Sequence, residues 1–170
     1  MTADEQVDTA PLLDALTEGA RQWLDDHDSH RPLLVGIHTG GAWVAQELHR
    51  RLGVDEPLGT LDISFYRDDF SRIGVHPQVK PSHLPVTVED RPILLVDDVL
   101  QTGRTVRAAL NEIFDYGRPA SVTLAVLVDR PGRELPVAAE LAGARWELPA
   151  ERQVKLHGPH PLTLTLHDLA

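Results

Sequence analysis

Two adjacent carboxylates, Asp97 and Asp98, are followed after two apolar residues by Gln101-Thr102-Gly103-Arg104-Thr105. The two pieces suit two halves of one ligand. Carboxylates at the end of an apolar run can accept hydrogen bonds from a sugar diol or hold a divalent cation. Where a helix starts, unpaired backbone N–H groups and the positive end of the helix dipole favour an anion. The hydroxyls of Thr102 and Thr105 add donors to a terminal phosphate there, and Gly103 allows the backbone close approach. Either piece alone is common, as a turn-capping Asp or as a Thr-Gly helix start. Together they point to a phosphorylated sugar. The chain contains neither Gly-x-x-x-x-Gly-Lys-Ser/Thr nor Gly-x-Gly-x-x-Gly, so the common nucleotide-binding loops are excluded.

These groups need a scaffold, and the apolar periodicity supplies one. Leu12, Leu13, Leu16, Ala20, Trp23 and Leu24 recur at helical spacing behind Thr9 and Pro11, which predicts a first helix. Residues 33–37 form an apolar strand that ends at His38-Thr39-Gly40-Gly41, and residues 42–52 return to helical spacing. Alternation over residues 61–66 predicts a half-buried strand. Residues 67–87 break the pattern with charges, Gly74, Pro77, Pro81 and Pro85, and read as a long mobile loop, uncommon in a compact domain unless it covers a site. Residues 92–96 form a continuous apolar strand and 103–116 the following helix, stopped by Gly117 and Pro119. Another buried strand is expected at 121–128, a turn-rich stretch at 129–136, and short strands at 153–156 and 162–166. Alternating strands and helices predict one α/β domain over residues 1–170, with a central, mostly parallel sheet flanked by helices and a flexible loop or hairpin over the site. In such sheets ligands bind at the carboxyl ends of the strands, where both glycine-containing loops fall.

Composition narrows the setting. With 170 residues, no cysteine and no run of about 20 apolar residues, the chain reads as a single cytoplasmic domain without disulfides, thiolate zinc or a membrane span. The polar, acidic first eleven residues do not resemble a secretory signal. Twenty-six acidic against sixteen basic residues leave a net charge of −10, which opposes polyanionic partners unless a basic patch forms locally. His76, His83, His157 and His160 lack the paired spacing of a metal site and read as surface residues. Trp23, Trp43 and Trp146 are expected in packing contacts rather than stacked on a base.

The segment from Val96 through Thr105 resembles the phosphoribosyl pyrophosphate motif of type I phosphoribosyltransferases. Asp62-Ile63-Ser64-Phe65-Tyr66-Arg67-Asp68-Asp69, the stretch from Gly103 to Ala109, Val126-Leu127-Val128-Asp129-Arg130 and Arg133-Glu134-Leu135-Pro136 are similar to segments of the PyrR family. The resemblance spans about residues 33–156 and implies the type I phosphoribosyltransferase fold. It implies an enzyme joining uracil to phosphoribosyl pyrophosphate to give UMP, with RNA-binding attenuation of pyrimidine genes as a second role in many relatives. It places Asp97 and Asp98 on the ribose hydroxyls and Gln101, Thr102, Gly103, Arg104 and Thr105 around the 5′-phosphate. His38, Thr39, Gly40 and Gly41 would face the pyrophosphate, Arg67 would close over it, and Val128, Asp129 and Arg130 would border uracil. Mg²⁺ would bridge the pyrophosphate with no firm protein ligand, and the assembly would be a homodimer or larger. Three positions depart from the family pattern: Gly40 stands where an Arg is common, Gln101 where an aromatic is frequent, and the stretch after Arg130 lacks a His and a second Arg, which disfavours RNA as a partner.

Overall fold

The computed structural model describes residues 4–63 and 82–169. Strands β1 (Glu5–Val7), β2 (Leu33–Ile37), β3 (Gly59–Leu61), β4 (Pro92–Leu100), β5 (Ser121–Asp129), β6 (Leu141–Arg145), β7 (Arg152–His157) and β8 (Thr163–Asp168) alternate in part with helices α1 (Ala10–His27), α2 (Gly40–Leu52) and α3 (Arg104–Tyr116). Five strands form a parallel sheet in the order β3-β2-β4-β5-β6, and the other three an antiparallel sheet ordered β1-β8-β7.

Strand β4 lies at the centre because its residues can be buried on both faces: Ile93, Leu94, Leu95 and Val96 are fully buried. Alternation then splits their side chains between two cores. Leu94 and Val96 join Leu12, Leu16, Val44 and Leu48 from α1 and α2, while Ile93 and Leu95 join Val106, Ala109 and Ile113 from α3. Trp23 packs in the first core and donates its indole N–H to the Thr123 hydroxyl at 3.1 Å, tying α1 to β5.

The first helix, β2 and the last two strands fall where the spacing predicts them. Other boundaries move. The strand expected at 61–66 pairs instead over Gly59–Leu61, ending before Asp62, while residues 64–66 and most of the expected loop lie outside the described residues. Strand β4 runs on past Val96 because the parallel ladder continues, with Asp97 opposite Val126 and Leu100 opposite Asp129. The acidic pair therefore sits within the strand and not in the loop after it. Strand β6 had no sequence signal, since Leu-Ala-Gly-Ala-Arg has no β-branched residue and no alternation. It forms because small residues let α1 approach: a Cβ on Gly143 would lie 2.7 Å from the Leu12 carbonyl, and one on Gly19 would lie 3.3 Å from Leu141 Cδ2. Among the described residues no helix is long and apolar enough to cross a membrane.

Candidate active site

The end of β4 holds its two carboxylates differently. Asp97 is buried and its Oδ1 accepts the Asp98 N–H at 2.8 Å, while the half-buried Asp98 accepts the Val99 N–H at 2.7 Å. Burial, reinforced by the adjacent Asp98 charge, pushes the Asp97 carboxyl well above the usual range. A buried, hydrogen-bonded carboxyl thus lies beneath a more accessible neighbour.

The loop from β2 to α2 is pressed onto this pair. A Cβ on Gly40 would fall 2.2 Å from Asp98 Oδ2, and one on Gly41 would fall 2.6 Å from the Val96 carbonyl oxygen and 2.9 Å from Asp97 Cα. The double glycine is a packing requirement. The space a larger residue would need at position 40 is filled by the Asp98 carboxylate. The His38 N–H donates to the Leu61 carbonyl at 2.9 Å, so β3 fixes the start of this loop, whose His38–Thr39 peptide is cis.

Opposite lies the turn into α3. Gly103 has φ +92°, a left-handed conformation suited to glycine, and a Cβ there would meet Val137 Cγ2 at 2.4 Å. Thr102 Oγ1 accepts the Arg104 N–H at 3.1 Å. The Arg104 guanidinium reaches Glu134 at 3.0 Å. Between the turn and the loop opens a cavity of about 500 Å³ walled by Thr39, Gly40, Asp97, Asp98, Gln101, Thr102, Gly103 and Thr105. Arg130, Trp43, Gln153 and Lys155 also line it. A smaller space of about 220 Å³ reaches His38 and Asp62 beside the same carboxylates.

Residues 128–130 diverge in position. The Val128 side chain is fully buried in the core, and the Asp129 carboxylate lies between the guanidinium groups of Arg133 and Arg145. Only Arg130 lines the main cavity. It is 3% exposed, donates to the Pro149 carbonyl at 3.0 Å and to the Arg152 carbonyl, and burial lowers its pKa. The Arg130 N–H donates to the Leu100 carbonyl and the Asp129 carbonyl accepts the Trp146 N–H, so these main-chain groups serve the sheet. Arg67 lies outside the described residues.

The cavity wall that sequence reasoning missed is the edge of β7 that carries no partner strand among the described residues. Leu169 donates its N–H to the Glu151 carbonyl at 2.7 Å, which makes this a hydrogen-bonded pair across β7 and β8. By antiparallel alternation the pairs Gln153–His167 and Lys155–Thr165 are bonded too, whereas Arg152, Val154 and Leu156 turn N–H and C=O away from β8. Arg152 agrees, since its carbonyl accepts from Arg130 and its N–H donates to Pro149. Val154 and Leu156 therefore aim backbone groups at the cavity they line. Trp43 had a readable signal: it lies three residues beyond Gly40, on the same side of α2. Among the described residues no three His, Cys, Asp or Glu side chains converge on a metal position.

A cavity at the carboxyl ends of a five-stranded parallel sheet, with an acidic pair on one side and a glycine turn into a helix on the other, is the architecture of the type I phosphoribosyltransferase class. Comparison with known proteins agrees, since residues 3–144 match the family described as "Phosphoribosyl transferase domain". A hypoxanthine-guanine phosphoribosyltransferase from Bacillus anthracis has the same fold, with a TM-score of 0.67 at 17% identity over 86% of each chain. Within that class, a bifunctional protein PyrR from Nitrosococcus oceani is 59% identical over 89% of this chain and 86% of its own length. Another from Pseudomonas fluorescens is 54% identical over 95% of this chain and 96% of its own. The chain belongs to the PyrR family of phosphoribosyltransferases.

Proposed function

We propose that this chain, acting as one domain over residues 1–170 in the cytoplasm, joins uracil N1 to C1 of phosphoribosyl pyrophosphate, forming UMP and releasing pyrophosphate. The observation that carries the reading is the Asp97–Asp98 pair facing the turn of residues 101–105 across one cavity. Asp98 accepts hydrogen bonds from the ribose diol, and Asp97 supports it from below. Gln101, Thr102, Gly103, Arg104 and Thr105 form the 5′-phosphate turn, and His38, Thr39, Gly40 and Gly41 border the pyrophosphate. Arg67 closes over the pyrophosphate.

Bond breaking at C1 develops an oxocarbenium-like ring and a departing anion, so the site acts by positioning and electrostatics. Mg²⁺ takes one or two carboxylates and fills the rest of its shell with substrate oxygens and water. The accessible Asp98 beside a substrate rich in oxygen fits that demand, and the ion, when bound, offsets charge on the leaving pyrophosphate. Of residues 128–130 only Arg130 borders the base, and it holds the β7 edge in place. That edge offers an adjacent N–H and C=O at Val154, complementary to the C4 carbonyl and N3–H of uracil; cytosine presents the opposite pattern. A radiolabelled assay of uracil against hypoxanthine, guanine and orotate, with Mg²⁺, tests the reading. UMP formation from uracil is expected, and its absence refutes the proposal.

The relatives' description as bifunctional supports a second role, binding of a pyrimidine-operon leader RNA when UMP occupies the site. The working unit is proposed to be a homodimer or larger homo-oligomer, to be measured by light scattering.

A further inference from the structure

The Arg133 guanidinium lies outside the cavity, yet all three of its nitrogens donate, in four hydrogen bonds. Its Nε donates to the Val137 carbonyl at 2.9 Å. Nη1 donates to the Gln101 carbonyl at 2.9 Å and to the Arg130 carbonyl at 3.0 Å. Nη2 meets Asp129 Oδ1 at 2.6 Å, and the second Asp129 oxygen is taken by Arg145. A planar fork with five N–H donors can make such a set, and an ammonium cannot. Immediately after it, the Glu134 and Leu135 N–H groups both donate to the Thr102 carbonyl, at 2.9 and 3.2 Å.

The carbonyls of Gln101 and Thr102 are therefore both pulled outward, away from the cavity. In a planar trans peptide the C=O and the following N–H point in opposite directions. Tying back these two carbonyls turns the N–H groups of Thr102 and Gly103 inward, toward the cavity that both residues line. Val137, whose carbonyl Arg133 also holds, occupies the space beside Gly103 and keeps the turn from relaxing outward.

We infer that Arg133, anchored by Asp129, is a positioning residue that aims the Thr102 and Gly103 N–H groups at the 5′-phosphate. The inference rests on the phosphoribosyltransferase reading above and assigns Arg133 no contact with substrate. Loss of the fork frees the Gln101 carbonyl, and the turn pays an ordering cost on binding that the wild-type protein has already met.

The test compares wild type with Arg133→Lys, which keeps the charge and loses the fork, and Arg133→Met, which keeps only the stem. Both variants are expected to raise KM for phosphoribosyl pyrophosphate and Kd for UMP about tenfold, equivalent to one or two lost hydrogen bonds. KM for uracil, kcat and the Kd of inorganic pyrophosphate, which needs no 5′-phosphate turn, stay within about twofold. Unchanged UMP and phosphoribosyl pyrophosphate constants in Arg133→Lys overturn the inference. Equal weakening of pyrophosphate and UMP also overturns it, because that marks a general structural loss. Absence of UMP formation by wild type would instead remove the underlying reading, while the UMP and pyrophosphate titrations would still judge the role of Arg133.

Discussion

Asp97 and Asp98 are chemically identical and one residue apart, yet they are expected to behave differently on substitution. Asp98 is the accessible partner, and Asp98→Asn is expected to lower kcat about a hundredfold, comparable to loss of one preorganised electrostatic contact, as read by initial rates at saturating substrates. Asp97 carries a raised pKa from burial and from its neighbour's charge. At low pH the folded and unfolded states both keep its proton, and any stability difference disappears. As pH rises through the usual carboxylate range the unfolded chain ionises first, so stability falls until the raised folded value is passed. Asp97→Asn has no such proton to lose. Its melting temperature is expected to exceed that of wild type above the usual carboxylate range by the equivalent of about 1 kcal/mol, with the advantage vanishing in acid. A pH-independent difference would contradict this. Gly40 belongs to the same unit: Gly40→Ala sets a methyl 2.2 Å from Asp98 Oδ2, and the carboxylate must yield. A loss in kcat/KM of about tenfold is expected, in line with modest overpacking.

Strand β7 shows why an element has properties that its side chains do not reveal. Val154 directs its N–H to the cavity, so Val154→Pro removes a donor that no ladder bond uses, and proline is tolerated at such an edge position. KM for uracil is expected to rise about tenfold with little change in melting temperature, the cost of one good hydrogen bond to a ligand. Lys155→Pro removes an N–H that pairs with Thr165 and is expected to lower stability instead. Equal effects of the two prolines on stability would refute the assigned register. That register was hidden in the sequence. The alternation within residues 152–157 announces a strand, but which backbone groups point to the cavity depends on how β7 meets β8. Likewise Val96 through Thr105 was legible because a buried run, two carboxylates and a glycine turn each have a local cause. By contrast β6 depends on contacts of Gly143 and Leu141 with α1, more than a hundred residues away in the chain. Position 40 was readable as a departure from the family pattern. Its reason, the Asp98 carboxylate occupying the space, lies some sixty residues further on.

For the whole molecule, the question is what a net charge of −10 permits. A small substrate meets only the local field, where Lys155 and Arg130 line the cavity and the turn into α3 presents N–H groups. An RNA chain samples a wider surface. Among the described residues four arginines next to the cavity are already engaged: Arg133 and Arg145 share Asp129, Arg104 meets Glu134, and Arg130 is buried against carbonyls. Each phosphate neutralised on a single strand contributes about 0.7 to the slope of log affinity against log salt, so a face whose arginines are committed to acidic and carbonyl partners gives a shallow slope and weak binding. Titration of a pyrimidine-operon leader with the UMP-loaded protein is therefore expected to show association at low ionic strength, a slope corresponding to about two phosphates or fewer, and little binding near physiological salt. A steep slope with tight binding at physiological salt would mean that the RNA meets a basic surface beyond the one the described residues of a single chain supply. The same titration with Asp129→Asn locates the effect. If the acidic partner of Arg133 and Arg145 is what screens this face, removing its charge steepens the slope, whereas an unchanged slope places the RNA surface elsewhere.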